Sequence, residues 1–289
     1  VLNHANTKGR KHEKNRPRRH GRKIKIESNV FDRMIGFLDP VRGARRLKAR
    51  AVMAIAGGYI GGSKARRGLK QWTPLGYDAD SAILPDLATL RERSRDLIRN
   101  TPLAAGAMNT KVTNVVGTGL KLQSRIDRDI LNMTDDQAQT WETQTEREWK
   151  LFWNSKECDA ARTLTGNAIT SLVYRQAKEN GDVFITLPKI KRKNVAYDLK
   201  LQVIEADRVC NKDNAMDTDT LAGGIEKDKY GAPVSYHILK HHPGITKYTK
   251  KVEWQVIPAF GKKLGFRNVI HLFQIDRPNQ SRGVPDLAP

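Results

Sequence analysis

A chain of 289 residues with 52 Lys and Arg against 31 Asp and Glu, a formal net charge of +21 and 38 % hydrophobic residues has enough apolar content for a core but far more charge than an ordinary soluble domain. That balance excludes global disorder and puts a polyanion, nucleic acid first, at the head of the candidate partners. Only Cys158 and Cys210 are present, which excludes a disulfide scaffold or a Cys-rich zinc site and fits a reducing compartment; no apolar run is long enough to span a membrane, and the basic start lacks the apolar core of a signal peptide.

The charge is concentrated at the start. Residues 1–70 hold 20 Lys or Arg against 4 Asp or Glu, a net of +16, which leaves +5 for the remainder. Residues 1–28 have almost no buryable surface and read as a disordered basic extension. Arg16, Arg18, Arg19, Arg22 and Lys23 are its candidates for nonspecific contact with DNA phosphates, although a solvated arm accounts for the composition equally well.

From Asn29 the apolar periodicity becomes helical. Phe31, Met34, Ile35 and Leu38 share a face, Pro40 interrupts, and a second helix is predicted from Val41 to Ala56, ended by Gly57, Gly58, Gly61 and Gly62. These short helices are amphipathic and basic, which also suits a membrane surface, but nothing else in the sequence supports that use. A loop is expected over 57–82, then a helix from Leu84 to Arg99 with Pro85 early and Leu87, Leu90, Leu97 and Ile98 as its buried stripe. Arg91, Arg95 and Arg99 recur every four residues on one flank, diluted by Glu92 and Asp96, and are candidates for intersubunit or phosphate contact.

Thr101 and Pro102 read as the N-cap and first residue of a helix carried by Leu103, Ala107, Val112, Val115 and Val116 to a terminator at Gly117. Its run of Ala and Gly would let another backbone approach closely. Leu120 and Leu122 alternate with polar residues and predict a strand. Thr134 and Gln137 form a capping box for a helix over 135–154, and a further helix is predicted from Leu164 to Lys178, closed by Asn180 and Gly181. The rest is strand-rich: DVFITLP, then 197–204, 224–226, 234–239, 252–257 and 269–273. The fold class is therefore α+β, a helical portion over 29–180 followed by a mainly antiparallel strand-rich portion over 181–289.

Catalytic constellations are weak. His237, His241 and His242 cluster in or beside one strand without metal-ligand spacing, and Asp198, Glu205 and Asp207 flank another strand in a manner that a metal-dependent nuclease could use but a strand end explains as well. The glycine-rich segments GTGL and GGSKARRG lack the frame of a phosphate-binding loop, so no cofactor is implied. Trp141, Trp149 and Trp153 sit among acids on a helix, which is not a base-stacking platform, and no motif that reads base edges is present. On the residues alone, a monomeric basic DNA-binding protein and a nuclease both stay open.

Six segments in order then carry a resemblance: FDRMIGFLDPVRGARRLKAR, LRERSRDLIRNTPLAAGAMNTKVTNVVGTGLKLQ, NMTDDQAQTWETQTEREWKLFWNSKECDA, GDVFITLP, IEADRV and HLFQIDRPNQSRGVPDLAP. Together they resemble the portal proteins of tailed phages of the lambda type. The resemblance implies a noncatalytic homo-oligomer, a ring of about twelve subunits repeating one interface around an axis. Such a ring sits at the portal vertex of the virion, after assembly in the host cytoplasm. It implies as partners double-stranded DNA passing through the channel, the terminase large subunit that drives it, and head-completion and capsid or scaffold proteins. It places 29–180 in the wing, lets part of 181–289 supply the clip, and implies a long helical portion with channel and crown elements after SRGVPDLAP, so the chain reads as lacking the C-terminal portion and as carrying an upstream extension over 1–27. A conduit must enclose a polyanion without gripping it, so the arginines of 91–99 are expected to be solvated or intersubunit residues of the wall.

Overall fold

The computed structural model describes residues 34–35, 37–55, 68, 71–244 and 252–288, with the side chains of 49–55 excepted. The basic extension, with Arg16, Arg18, Arg19, Arg22 and Lys23, lies outside the described residues, as do Phe31 and the glycines expected to end the second helix. The chain forms two compact units, residues 1–75 and 76–289.

In the first unit α1 spans Pro40–Ile55. Pro40 has the fixed φ that suits a first helical turn, and the Asp39 carboxylate accepts from Val41 N and Arg42 N, both at 3.1 Å, satisfying two of the amides that a helix start leaves free.

In the second unit α2 runs Ala79–Asn100, five residues earlier than the apolar pattern predicts, because Asp78 caps it by accepting from Ser81 N. Pro85 is thereby interior, where it removes one helical hydrogen bond. The buried stripe also differs: Leu97 is exposed, and the positions facing inward are Ala79, Leu87, Arg91 and Ser94. An arginine occupies a core position of this helix.

Helix α3, Pro102–Val115, ends before Gly117, whose φ of +52° is the left-handed conformation expected of a terminator. Thr101 has extended cap geometry without a side-chain cap bond, and Met108 and Val116 are buried while Leu103 and Val115 face out. No strand forms at Leu120 and Leu122. Just beyond them the backbone is held by side chains of a later helix, Ser124 N donating to Glu146 and Ile126 N to Glu142, each at 2.8 Å.

After the short α4, Arg128–Leu131, comes α5, Asp135–Asn154, which starts at the expected capping box: Gln137 N donates to Thr134 Oγ1 at 3.3 Å and Thr134 N to Gln137 Oε1 at 3.0 Å. Thr134→Ala removes one half of this reciprocal pair and is expected to lower stability by about 1 kcal/mol, read as a shifted midpoint in denaturant unfolding with an unchanged slope. Helix α6, Gly166–Asn180, begins two residues later than predicted because Thr165 supplies its cap, and Gly181 closes it at φ +86°.

Among the described residues seven strands follow: β1 (Asp182–Thr186), β2 (Gln202–Ile204), β3 (Leu221–Ala222), β4 (Ile225–Lys227), β5 (Pro233–Leu239), β6 (Trp254–Pro258) and β7 (Val269–Phe273). They make an antiparallel three-stranded sheet of order β2-β1-β7 and an antiparallel four-stranded sheet of order β3-β4-β5-β6. The strand predicted over 197–204 is confined to its last three residues. β1 is buried on both faces: Val183 and Ile185 meet Cys158, Ile169 and Val173 beneath α6, while Phe184 joins Val209, Ile225, Tyr236 and Ile238 against the larger sheet. The α+β class stands, and helices α2 to α6 and both sheets belong to one unit.

Candidate functional site

Where β1 leaves α6, its first residue, Asp182, is fully buried, and three side chains from distant segments converge on it. Arg91 of α2 donates Nη2 to Asp182 Oδ1 at 2.8 Å; Arg282 donates Nε to Oδ2 at 2.5 Å and Nη2 to Oδ1 at 3.3 Å; His271 of β7 places Nε2 3.3 Å from Oδ2. The same guanidiniums serve the backbone. Arg91 Nε donates to Asn180 O at 2.9 Å, and Arg282 donates to the carbonyls of Val209, Gly223 and Ala206 at 2.7, 2.6 and 2.8 Å. Arg282 thus employs all five of its N–H donors, which a compact ammonium could not do.

A second layer lies beside this centre. Asp207 bonds Arg95, Arg91 Nη1 approaches its carboxylate at 3.5 Å, and Arg95 Nε donates to Asn180 Oδ1 at 2.6 Å. Ser94, one turn from Arg91, donates to Glu179 O at 2.7 Å, so α2 is fastened to the end of α6 by three consecutive inward positions. Gly181 and Gly283 let the chain after Arg282 cross the start of β1: a Cβ on Gly283 would collide with Gly181 O. The segment is tied on either side, through Ser281 N and Oγ to Asp80 at 2.7 and 2.6 Å, and through Asp286 to Lys111 at 2.7 Å and Lys178 at 3.3 Å.

Burial alone would raise the Asp182 carboxyl, but Arg282 and then Arg91 outweigh it and hold it well below the usual carboxylate range. Desolvation, then repulsion from Arg282, pulls Arg91 down to about 10, still charged at neutral pH. Asp207 follows the same logic, its burial outweighed by Arg95 and Arg91. Burial lowers His271, which stacks between Phe184 and Phe273 at centroid distances of 4.1 and 4.3 Å. Three arginines, 91, 95 and 282, face three carboxylates, Asp182, Asp207 and Glu205, so the junction is balanced internally and has no surplus charge to offer a ligand.

Of the residues singled out in the sequence, Arg91 and Arg95 meet here and Arg99 does not; it is exposed in the last turn of α2. The expectation that Arg91 is solvated fails because its helix position points into the core, four residues after Leu87. Glu205, Asp207 and His242 do gather, with their ligand atoms within 4.8 Å of one another, but a dication there would sit beside the Arg95 guanidinium or displace it. Asp198 and His237 stand apart from that group; His237 bonds Glu226 Oε1 at 3.0 Å and accepts from Lys212 N. Asp182, His271 and Arg282 were not singled out, although the segments GDVFITLP and HLFQIDRPNQSRGVPDLAP that contain them were.

The family model described as phage portal protein, lambda family, matches residues 65–289. Among curated proteins the chain is 25 % identical over 232 residues to portal protein B of Escherichia phage lambda and equally to the portal protein of Escherichia phage N15, covering 78 % of this chain and 42 % of each relative. It is 26 % identical over 213 residues to a probable portal protein of Halomonas phage phiHAP-1, 71 % of this chain and 38 % of that one. The chain therefore spans less than half the length of these relatives. The match covers every residue of the buried junction, and with it the chain belongs to the lambda family of phage portal proteins.

Proposed function

We propose that this chain is a structural, noncatalytic portal protomer of a tailed phage or prophage, part of a head-tail connector ring through which double-stranded DNA is packaged and ejected. The observation that carries the reading is the junction itself. The family-matched segments around Arg91, Asp182, Asp207 and Arg282 converge on groups that are paired with one another, an arrangement for holding chain segments in register under load and not for turning over a substrate. In this reading the partners are further copies of the chain, the terminase large subunit, head-completion and capsid or scaffold proteins, and the DNA in transit; the place of action is the portal vertex of the virion, after assembly in the host cytoplasm. Among the described residues no helix is long and apolar enough to cross a membrane.

Contact with phosphate or with a neighbouring subunit falls, in this reading, to Arg99 and to Arg16, Arg18, Arg19, Arg22 and Lys23, since Arg91 and Arg95 are engaged within their own chain. The test is the mass of the purified chain by sedimentation over a range of concentrations, with DNA binding measured against salt. A closed oligomer of about twelve copies with no DNA cleavage is expected, each copy offering the same heterologous contact. A monomer at every concentration that binds DNA with steep salt dependence overturns the reading in favour of a basic DNA-binding protein. Magnesium- or manganese-dependent cleavage abolished in Glu205→Gln overturns it in favour of a nuclease.

A further inference from the structure

Helical spacing on α5 sets Trp141, Thr145, Glu148, Trp149 and Phe152 on one flank. Leu122 and Leu199 wall the flank on its sides, leaving a groove of about 640 Å³. Its floor is built firmly: Trp149 stacks on Trp153 at 4.7 Å and Phe152 meets the Tyr197 ring edge-on at 5.5 Å. Its contents are unusual for a surface. Trp141 remains 46 % exposed, Trp149 37 %, and both leucines 41 %, four large apolar side chains side by side with nothing described over them.

The charge of the groove is as informative as its shape. Among the described residues that line it the single carboxylate is Glu148, which accepts from the Tyr197 hydroxyl, and Glu142 and Glu146 stand just behind, bonded to the amides of Ile126 and Ser124. The cations of α5, Arg147 and Lys150, lie on another flank with Leu151 and Asn154. An apolar floor with a negative edge and no cation among its described lining residues repels phosphate, so neither nucleic acid nor an anionic lipid surface is its complement. A cationic segment with an apolar face is.

Helix α1 has that chemistry. It carries Arg42, Arg45, Arg46, Lys48 and Arg50 and no acid, and its Val41 and Leu47 are exposed. A ring contact is heterologous, so each copy has to offer two different surfaces that complement each other. We propose that the aromatic groove over α5 receives the cationic helix α1 of a second copy of this chain. The proposal rests on the portal reading and supplies the contact that the ring would repeat.

The test mixes two variants of the full chain, Leu47→Asp on the helix and Trp141→Asp in the groove. Wild type is expected to assemble in sedimentation velocity, and each variant alone to need at least about tenfold more protein to do so. Mixed in equal amounts, the two have one intact helix and one intact groove between them and are expected to form a pair that stops at two copies. Should Trp141→Asp perturb folding, the exposed charges repeat the test: Glu148→Lys and Arg45→Glu each weaken assembly, and combining them in one chain restores it. Variants that assemble like wild type overturn the interface and leave the ring reading standing; a monomeric wild type overturns both. A double-stranded oligonucleotide that quenches tryptophan fluorescence in wild type and not in Trp141→Asp assigns the groove to nucleic acid and also overturns the proposal.

Discussion

Arg282→Ala is expected to destabilise the second unit by about 3–5 kcal/mol, the cost of removing one partner from a buried ion pair. For a unit of this size that corresponds to a fall of roughly 6–20 °C in the thermal midpoint. The loss has three parts. Asp182 keeps Arg91 and His271 but loses its shortest partner, the carbonyls of Val209, Gly223 and Ala206 lose their common donor, and a buried side chain 2 % exposed leaves a void lined by polar atoms. Arg282→Lys is not expected to rescue, because the five bonds radiate in a plane that an ammonium cannot reproduce. The comparison is Arg99→Ala, an exposed position on α2, for which the change is expected to stay within about 0.5 kcal/mol. Equal losses at the two positions by chemical unfolding would mean that the junction is not what holds the unit.

Most of the helices and strands were readable because local rules govern them. The capping box at Thr134 and Gln137, the Asn180–Gly181 stop and the strand over 269–273 each need only a few adjacent residues, and each is found where the sequence puts it. Two expectations fail for a common reason. Pattern alone puts Leu97 on the apolar stripe of α2 and a strand at Leu120 and Leu122, whereas the partners that decide burial and strand pairing come from elsewhere in the chain. The junction was illegible for the same reason in stronger form. Arg91 and Asp182 are 91 residues apart and Asp182 and Arg282 are 100 apart, and nothing in their neighbourhoods says that an arginine on a helix flank will be matched by a carboxylate at the start of a strand. What the sequence did offer was the order of six family-like segments, and four of them contribute side chains to the junction.

Asp182→Asn is the sharper probe, because it preserves shape and removes one charge. Arg91 and Arg282 then face each other across a neutral amide in the core, and the expected loss is again about 3–5 kcal/mol at neutral pH. The pH dependence separates this charge from its neighbour. Asp182 has its pKa depressed in the folded state, so its contribution is complete above the ordinary carboxylate value of about 3.9 and is lost as pH falls below it. His271 is also depressed, through burial, so its neutral form is favoured on folding; that contribution is complete above about 6.5 and is lost as pH falls towards the folded-state value. Wild-type stability, followed by urea unfolding from pH 8 downward, is therefore expected to hold level above about 6.5, decline gently below it, and decline steeply under about 4, where the unfolded chain binds protons at Asp182 and Asp207 that the folded protein does not. The Asp182→Asn variant lacks the Asp182 share of the steep limb, so the difference between the two proteins should be greatest near neutrality and shrink under about 4. A difference that stays constant down to about pH 2 would show that Asp182 acts through its shape and hydrogen bonds, and that the arginines do not depend on its charge.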